Sequence, residues 1–454
     1  MIKDSFLYLL SKFLPAIISF GIIYLYLTKM SPKEYGVFSI TIVSVGLINI
    51  VSTQWIRSGM VRYFSIEKSI MNTLITIQIY IIIITSIIAL LILLIIDFDG
   101  KYILLFILIL MNINVNEFLN NYYRTIIRPS IILYGNIIKN LLYIFFICVF
   151  IMSNTSLNIY IALFSYFLGV FISNIYYFIY WDFKFNLEMK KSHLKKLAIY
   201  GIPLTISFSL GVLLQNIDKY LITLILGIEA NGNYALIYDF IHNSLYMVMG
   251  ALGLASLPRI INLSDPKNQF VHFNQYVNVF YTICVPILFT FLSVSNEMTF
   301  IFNKYGYKIS ESIIIFVIIS TFIHGINSFI YSQAIQMLEK TTMIILPSFL
   351  AIVVSVFMNL VLLPKIGLLS AAISSLIAFL TSNLVLYLVM KKKAEIKFYP
   401  KSLIFLFIIG LTIILIISHI EFSNIYITLI IKCTIVIGIY ISFIYVFLKK
   451  QIKL

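Results

Sequence analysis

The chain has 454 residues, of which 61% are hydrophobic and only 11% are charged, and its formal net charge is +15. Water-soluble domains carry roughly 25% charged residues, so lipid must be the solvent for most of this chain. The apolar runs are long and continuous, for example at 75–96 and 403–417. This excludes a β-barrel, whose strands alternate apolar and polar residues. The composition therefore predicts membrane-spanning helices, which satisfy their own backbone hydrogen bonds in lipid.

The predicted elements are about fourteen spans, each close to the roughly 20 residues that a bilayer requires. The connections between spans are short, so we expect no sizeable domain outside the membrane. The expected fold class is an all-α membrane protein with about 14 transmembrane helices. In chain order the predicted spans are 6–28, 37–56, 71–95, 102–122, 131–152, 157–181, 197–225, 232–256, 277–302, 312–337, 343–363, 367–390, 402–418 and 424–447.

Lysine and arginine residues predict the orientation, because cytoplasmic connections of membrane proteins carry an excess of them. With both termini in the cytoplasm, most of the 32 basic residues lie at cytoplasmic ends of spans. Lys219 and Lys432 fall within spans, and Lys432 is expected either to reach a membrane surface or to face the interior. The net charge therefore predicts a multi-pass topology with both termini cytoplasmic and does not require nucleic-acid binding.

Motifs that carry enzyme chemistry do not occur in the sequence. It contains no glycine-rich phosphate loop and no H-E-x-x-H motif. Cys148, Cys284 and Cys433 lie in apolar runs without metal spacing, so we interpret them as core residues, and His324 as a packing residue. We expect neither enzyme activity nor a cofactor nor a metal site.

Two loops of similar sequence indicate an internal repeat. M-S-P-K-E-Y-G-V-F at 30–38 follows the first span, and L-G-I-E-A-N-G-N-Y at 226–234 follows the seventh. Ungapped alignment pairs Gly36 with Gly232, and glycine suits a tight reversal where φ is positive. Because six spans separate the loops, we predict two parallel six-helix repeats and a C-terminal helix pair. The expected domains are an N-terminal six-helix bundle at 1–181, a cytoplasmic linker at 182–196, a C-terminal six-helix bundle at 197–390 and an appended helix pair at 391–454.

The first loop resembles the loop after the first helix in the oligosaccharide and polysaccharide flippases of the multidrug/oligosaccharidyl-lipid/polysaccharide exporter superfamily. Y-G-I-P at 200–203 and N-I-D-K at 216–219 are similar to the start and the outer part of the family's seventh helix. I-G-L-L-S-A-A at 366–372 is similar to the opening of its twelfth helix. Within the family the sequence looks most like the O-antigen repeat-unit flippases.

This resemblance implies a protein of the bacterial inner membrane. Its substrate would be undecaprenyl diphosphate carrying a short oligosaccharide, an O-antigen or capsule repeat unit. The protein would move it from the cytoplasmic to the periplasmic leaflet by alternating access, driven by an ion gradient or by downhill accumulation. Besides this lipid and the bilayer, a polysaccharide polymerase and a chain-length regulator are candidate partners.

Polar side chains within spans are the candidate site residues, because a charge in the bilayer costs at least about 2.5–3.5 kcal/mol unless it faces a cavity or a partner. Helical spacing places four residues of the polar fourth span on one face, which could line a sugar-accepting cavity or bond to neighbouring helices. Basic residues near the cytoplasmic ends could hold a diphosphate or act as topology anchors. The substrate-binding candidates are Arg57, Arg62, Glu117, Asn120, Asn121, Arg124, Lys139 and Lys219.

A second candidate group lies in the hairpin of the seventh and eighth spans. Lys219 lies nine residues before the turn near Ile228, and Asp239 lies eleven residues after it. At about 1.5 Å per residue the two side chains are at nearly the same depth, together with Asp218 and His242. We consider two interpretations: a Lys219–Asp239 ion pair that locks the hairpin, and an ion-coupling site formed by Asp218, Asp239 and His242.

Two other functions fit parts of the pattern. A multidrug cation/ion antiporter of the same superfamily should have an acidic cavity and twelve spans, whereas basic groups outnumber acidic ones in the first half of this chain. A membrane glycosyltransferase or O-antigen polymerase would need a large outer loop carrying catalytic groups. The longest predicted outer connections, at 97–101 and 303–311, are too short for that.

Overall fold

The computed structural model describes residues 17–153, 157–183, 186–261, 265–338, 341–391, 401–420 and 422–452. All regular structure in these ranges is helical, which confirms the all-α prediction. The part of the predicted first span before residue 17 lies outside the described residues. Within them, eleven helical stretches are long and apolar enough to cross a membrane, and two shorter apolar helices lie at Ile17–Lys29 and Leu403–Ile417.

The helices follow the predicted spans closely. Single π-helical turns, His242–Tyr246 and Asn327–Tyr331, join α8 to α9 and α12 to α13 without a break, so that α8 and α9 together form the predicted eighth span. The helices are α1 (Ile17–Lys29), α2 (Pro32–Tyr63), α3 (Ile70–Ile95), α4 (Gly100–Thr125), α5 (Pro129–Met152), α6 (Ile159–Ile179), α7 (Lys191–Leu226), α8 (Ile228–Ile241), α9 (Met247–Ile261), α10 (Pro266–Ser293), α11 (Ser295–Lys304), α12 (Glu311–Ile326), α13 (Ser332–Met337), α14 (Ile345–Ile366), α15 (Leu368–Met390), α16 (Lys401–Ile417) and α17 (Ile425–Ile452).

The ninth span differs from its predicted position at 277–302. The helix α10 begins at Pro266 and ends at Ser293, and α11 follows as a separate short helix. The first residues of α10 are polar, so hydropathy alone places the span too late in the chain. The break has a local cause: Ser293 Oγ donates to the Thr290 carbonyl and Ser295 Oγ donates to Glu311, and such side-chain bonds compete with helix continuation.

Contacts divide the chain into two compact units, Met1–Ala235 and Leu236–Leu454. In the first unit α2 packs along α7 and α4, and α6 packs against α4 and α5. In the second unit α12 and α14 both pack on α15, and α10 packs on α16 and α17. The predicted boundaries at 181, 197 and 390 describe a duplication of sequence and stay a prediction.

Buried amides lock the helices of the first unit together. Asn116 Nδ2 on α4 donates to Asn174 Oδ1 on α6 at 2.8 Å and to Ser173 Oγ at 3.3 Å. In return, Asn174 Nδ2 donates to the carbonyl of Asn112 at 3.0 Å. These bonds tie α4 to α6 inside the bundle, where lipid offers no hydrogen-bond partner.

The second unit contains the same lock at a different place in the chain. Asn327 Nδ2 donates to Asn383 Oδ1 at 2.8 Å and to Ser382 Oγ at 2.9 Å. Asn383 Nδ2 donates to the carbonyl of Ile323 at 3.0 Å. Each atom has its counterpart in the first unit, at an offset of 211 residues for Asn327 and 209 for Asn383. The equivalent bonds align the residues of α4 with those of α12–α13, and the residues of α6 with those of α15. This alignment supports the predicted repeat.

The loop glycines serve a different purpose from the one predicted. Gly36 and Gly232 lie inside α2 and α8, and the positive φ in this region belongs to Gly227, at +91°. A Cβ on Gly36 would lie 2.1 Å from the carbonyl oxygen of Ile228, and a Cβ on Gly232 would lie 1.6 Å from that of Pro32. The two glycines therefore permit the starts of α2 and α8 to touch within the first unit, and Asn231 Nδ2 donates to the Gly36 carbonyl across this contact.

A further contact outside the spans fixes the start of α7. Glu67 lies in the turn between α2 and α3, and its Oε1 is 2.8 Å from Nε2 of the buried His193. Lys196 Nζ lies 3.4 Å from the other oxygen of Glu67. The hydrogen bond with His193 lowers the pKa of Glu67 below its ordinary value, so the contact favours the ionised carboxylate.

We expect Gly36→Ala and Gly232→Ala each to destabilise the protein by about 1–3 kcal/mol, because the added methyl group meets backbone atoms that have no room to move. Thermal unfolding of the detergent-purified protein measures the effect. Gly46→Ala is the matched control, since a Cβ on Gly46 meets nothing within 4 Å. Equal unfolding midpoints for all three variants would contradict the close approach.

Glu67→Gln should lower the unfolding temperature at pH 7, because it removes a carboxylate that the fold stabilises in its ionised form. The carboxylate's pKa is lowered in the folded state, so its contribution is present above pH 4.5 and disappears as the pH falls through the folded pKa. The difference between wild type and variant should therefore close below pH 4.5. Glu188→Gln, at an exposed carboxylate 3.6 Å from Lys190, is the control and should change little. A difference that persists unchanged at pH 3 contradicts the assignment.

Candidate functional site

Arg57 and Glu117 form an ion pair between α2 and α4. Arg57 Nη1 lies 3.2 Å from Glu117 Oε2, and the arginine side chain is 5% exposed whereas the glutamate is 42% exposed. Nε and Nη2 of Arg57 are buried and have no hydrogen-bond partner among the described residues. A guanidinium offers five N–H donors, and burying unpaired ones costs free energy. The site can thus offer further donors to an anion that reaches it.

The polar residues predicted to share one face of α4 have two different environments. Glu117, Asn121 and Thr125 are half-exposed at four-residue spacing, and we name these three residues the α4 strip. Asn121 Nδ2 donates to the Glu117 carbonyl, and Thr125 Oγ1 donates to the Asn121 carbonyl. Asn120 turns away from the strip and donates to Asn136 on α5 and to the hydroxyl of Tyr177 on α6. The amide of Asn120 thus holds the bundle together.

The other basic candidates of the first unit are spread along the helices. Arg124 is exposed in the last turn of α4, and Lys139 is half-buried on α5. Arg62 is exposed, and its guanidinium carbon lies 5.9 Å from the centre of the Tyr200 ring. Lys219 is buried within α7 together with its neighbour Asp218. Of the predicted set, Arg57 and Glu117 are brought into direct contact from two different helices.

The candidates for ion coupling fall in both units. Asp218 belongs to the first unit, whereas Asp239 and His242 belong to the second and are half-buried. His242 opens the π turn, and its ring stacks on Tyr246 with centroids 4.3 Å apart. The ion pair between Lys219 and Asp239 stays a prediction.

An aromatic stack surrounds His324, which was predicted to be a packing residue. Its ring lies 4.6 Å from Tyr246 and 4.4 Å from Phe379, and Tyr246 in turn lies 4.8 Å from Phe329. His324 is buried, and its Nδ1 has no hydrogen-bond partner in the described part of the chain. The stack lies where the two π turns interrupt their helices, and π turns are frequent at functional sites.

A second ion pair lies deep in the second unit. Lys432 Nζ on α17 donates to Glu297 Oε1 on α11 at 2.6 Å, and both side chains are buried. Of the two positions considered for Lys432, the interior one is correct. Glu297 is not among the predicted site residues, because 135 residues separate the partners and nothing in the sequence pattern joins them. Within the described ranges no group of three or more His, Cys, Asp or Glu residues could hold a metal ion.

Comparison with known proteins identifies relatives in sequence. Residues 1–264 match the family of polysaccharide biosynthesis proteins. A candidate O-antigen transporter of Shigella flexneri is 26% identical over 180 residues, which are 40% of this chain. The match covers only 43% of the length of that relative.

Comparison with solved structures identifies the fold. The lipid II flippase MurJ in an inward closed conformation superposes with a TM-score of 0.75 at 16% identity, over 98% of this chain and 100% of that chain. An outward-facing multidrug resistance MATE transporter of the MOP superfamily gives a TM-score of 0.57 at 14% identity, over 86% and 94% of the two chains. The chain therefore belongs to the polysaccharide biosynthesis protein family and has a fold similar to those of MurJ and the MATE transporters.

Proposed function

We propose that the protein is a flippase of the bacterial inner membrane with both termini in the cytoplasm. Its substrate is an undecaprenyl-diphosphate-linked oligosaccharide, an O-antigen or capsule repeat unit, which it carries from the cytoplasmic to the periplasmic leaflet by alternating access. Family membership and the fold shared with MurJ support this proposal. A polysaccharide polymerase and a chain-length regulator would act on the glycan after it has crossed.

The observation that carries the proposal is the incompletely paired guanidinium of Arg57. A diphosphate presents several oxygen acceptors, and arginine binds such groups through two parallel hydrogen bonds. Glu117 pairs with one of the arginine nitrogens and leaves the buried Nε and Nη2 without a partner, so a conformational change that uncovers them would present both to the substrate. Because Glu117 is half-exposed, its carboxylate can turn toward water when a diphosphate replaces it.

The depth of this pair fits capture from the cytoplasmic leaflet. Arg57 lies six residues before the end of α2 and Glu117 lies eight before the end of α4, which is about 9–12 Å along each helix. In the proposed orientation both ends are cytoplasmic. Arg62, Arg124 and Lys139 would add positive charge near the cytoplasmic ends of their helices, and Lys219 would hold the anion further along its path. Asn121 would contact the sugars, and Asn120 would position α4.

Ion coupling is the second part of the proposal. Asp218, Asp239 and His242 would take up and release a proton or sodium ion as the transporter changes conformation. A carboxylate at membrane depth is costly unless it faces a partner, a cavity or an ion. Asp218 is buried and Asp239 is half-buried, which makes both candidates for holding such an ion.

Arg57→Ala should abolish surface glycan and cause the lipid-linked oligosaccharide to accumulate in membranes, because the diphosphate loses its fixed cation. Arg57→Lys keeps the charge without the planar fork and should retain part of the export. Immunodetection of surface glycan in a complemented deletion strain measures the effect, with the amount of protein in the membrane measured in parallel. Arg128→Ala is the matched control, since Arg128 forms an exposed pair with Asp182 just after α4. Normal glycan in Arg57→Ala cells with normal protein levels would refute the diphosphate site.

Asp218→Asn and Asp239→Asn should each weaken the dependence of transport on an imposed proton or sodium gradient. Flux of the lipid-linked oligosaccharide in proteoliposomes, with each gradient applied separately, measures this dependence. Glu229→Gln, at an exposed glutamate in the first turn of α8, should leave it unchanged. A wild-type flux that ignores both gradients would rule out coupling.

A further inference from the structure

The amide locks provide a residue register between the two units, and this register identifies the counterpart of the α4 strip. The offset of 211 residues between Asn116 and Asn327 also pairs Glu117 with Ser328, Asn121 with Ser332 and Thr125 with Gln336. We name Ser328, Ser332 and Gln336 the serine strip. Its members are half-exposed or exposed, as are their counterparts. The same face of the helix is therefore open in both units.

The chemistry of the two strips differs. The α4 strip carries the carboxylate that pairs with Arg57, whereas the serine strip carries only hydroxyls and one amide. The loop alignment, with its offset of 196 residues, places Gly253 at the position of Arg57. A Cβ on Gly253 would lie 2.9 Å from Phe329 Cδ1 and 2.3 Å from Gln333 Nε2. The charged contact of the first unit thus corresponds to a glycine packed against an aromatic ring in the second.

Aromatic rings border the serine strip. Tyr246 and Phe329 are both half-buried with their rings 4.8 Å apart, and the Tyr246 hydroxyl is hydrogen-bonded to Ser328. Gln333 lies beside Phe329, and its Oε1 is buried without a hydrogen-bond partner in the described ranges. Side chains that face lipid on this unit look different: Phe357, for example, is 64% exposed with apolar neighbours along its helix. A face that combines partly exposed rings, hydroxyls and amides suits a neutral polar ligand better than acyl chains.

We propose that Tyr246, Phe329 and the serine strip form a binding face for the sugar part of the substrate, which rests on the flippase function proposed above. A pyranose ring has one face of C–H groups, which packs on the electron-rich face of an aromatic ring. Its hydroxyls are donors and acceptors that match Ser328, Ser332 and Gln336. The second unit then carries its own face for recognising sugar.

Binding of two lipids to the full-length purified protein separates these roles. The probes are undecaprenyl diphosphate and the lipid-linked oligosaccharide extracted from cells lacking the gene, and native mass spectrometry gives both dissociation constants. Phe329→Leu should weaken binding of the glycolipid about tenfold and leave undecaprenyl diphosphate unchanged. Ser332→Ala, at a half-exposed hydroxyl with little effect on folding, should act in the same direction by about threefold. Arg57→Ala should weaken both lipids.

Phe357→Ala is the control for the loss of an aromatic ring and should change neither constant. Glycolipid binding that is unchanged in Phe329→Leu and in Ser332→Ala overturns the proposal. Equal losses for both lipids also overturn it, because they would show that the ring only supports the fold. If cells lacking the gene accumulate no lipid-linked oligosaccharide, or the wild-type protein binds neither lipid, the flippase function itself fails.

Discussion

Helices surrounded by lipid gain nothing from hiding apolar side chains, because the lipid tails are as apolar as the side chains themselves. Close packing and interhelical hydrogen bonds must therefore hold this protein together, and its buried amides supply the bonds. Asn116 and Asn174 close a reciprocal lock between α4 and α6, and Asn327 and Asn383 close the same lock between the π turn and α15. Small residues supply the close packing: a Cβ on Gly201 would lie 2.4 Å from the Trp55 carbonyl oxygen. These contacts fix the orientation of the helix faces that carry the candidate site residues.

The two units share a scaffold and differ in the surfaces that they present. The register set by the locks leaves the same helix face open in both units, with different side chains on it. Glu117 with Arg57 makes a charged surface in one unit, whereas Ser328 beside Tyr246 makes a neutral one in the other. Duplication alone would have produced two equal faces, so in the proposed flippase the difference between them is where selectivity for a particular glycan would arise.

The sequence predicts the helices well because a span is a local property that hydropathy reports directly. Hydropathy fails at α10. The first turn of this helix is polar, so the helix begins earlier than predicted, and the hydrogen bonds of the serines at 293 and 295 end it earlier than predicted. Side-chain partners were harder to predict, because they join residues far apart in the chain. Asn120, for example, donates to Asn136 on α5 and to Tyr177 on α6, and no pattern in α4 reports these bonds. The contact between Arg57 and Glu117 depends on how α2 and α4 cross, which no pattern in either helix reports.

The pair of Glu297 and Lys432 has a consequence for biogenesis. The ribosome makes Glu297 135 residues before its partner, which at roughly 5–20 residues per second leaves the carboxyl group alone for roughly 7–27 s. A buried charged group without a partner is costly, so the second unit cannot settle around Glu297 until α17 brings the ammonium group of Lys432. The helices that hold these two residues therefore reach their final packing late in synthesis.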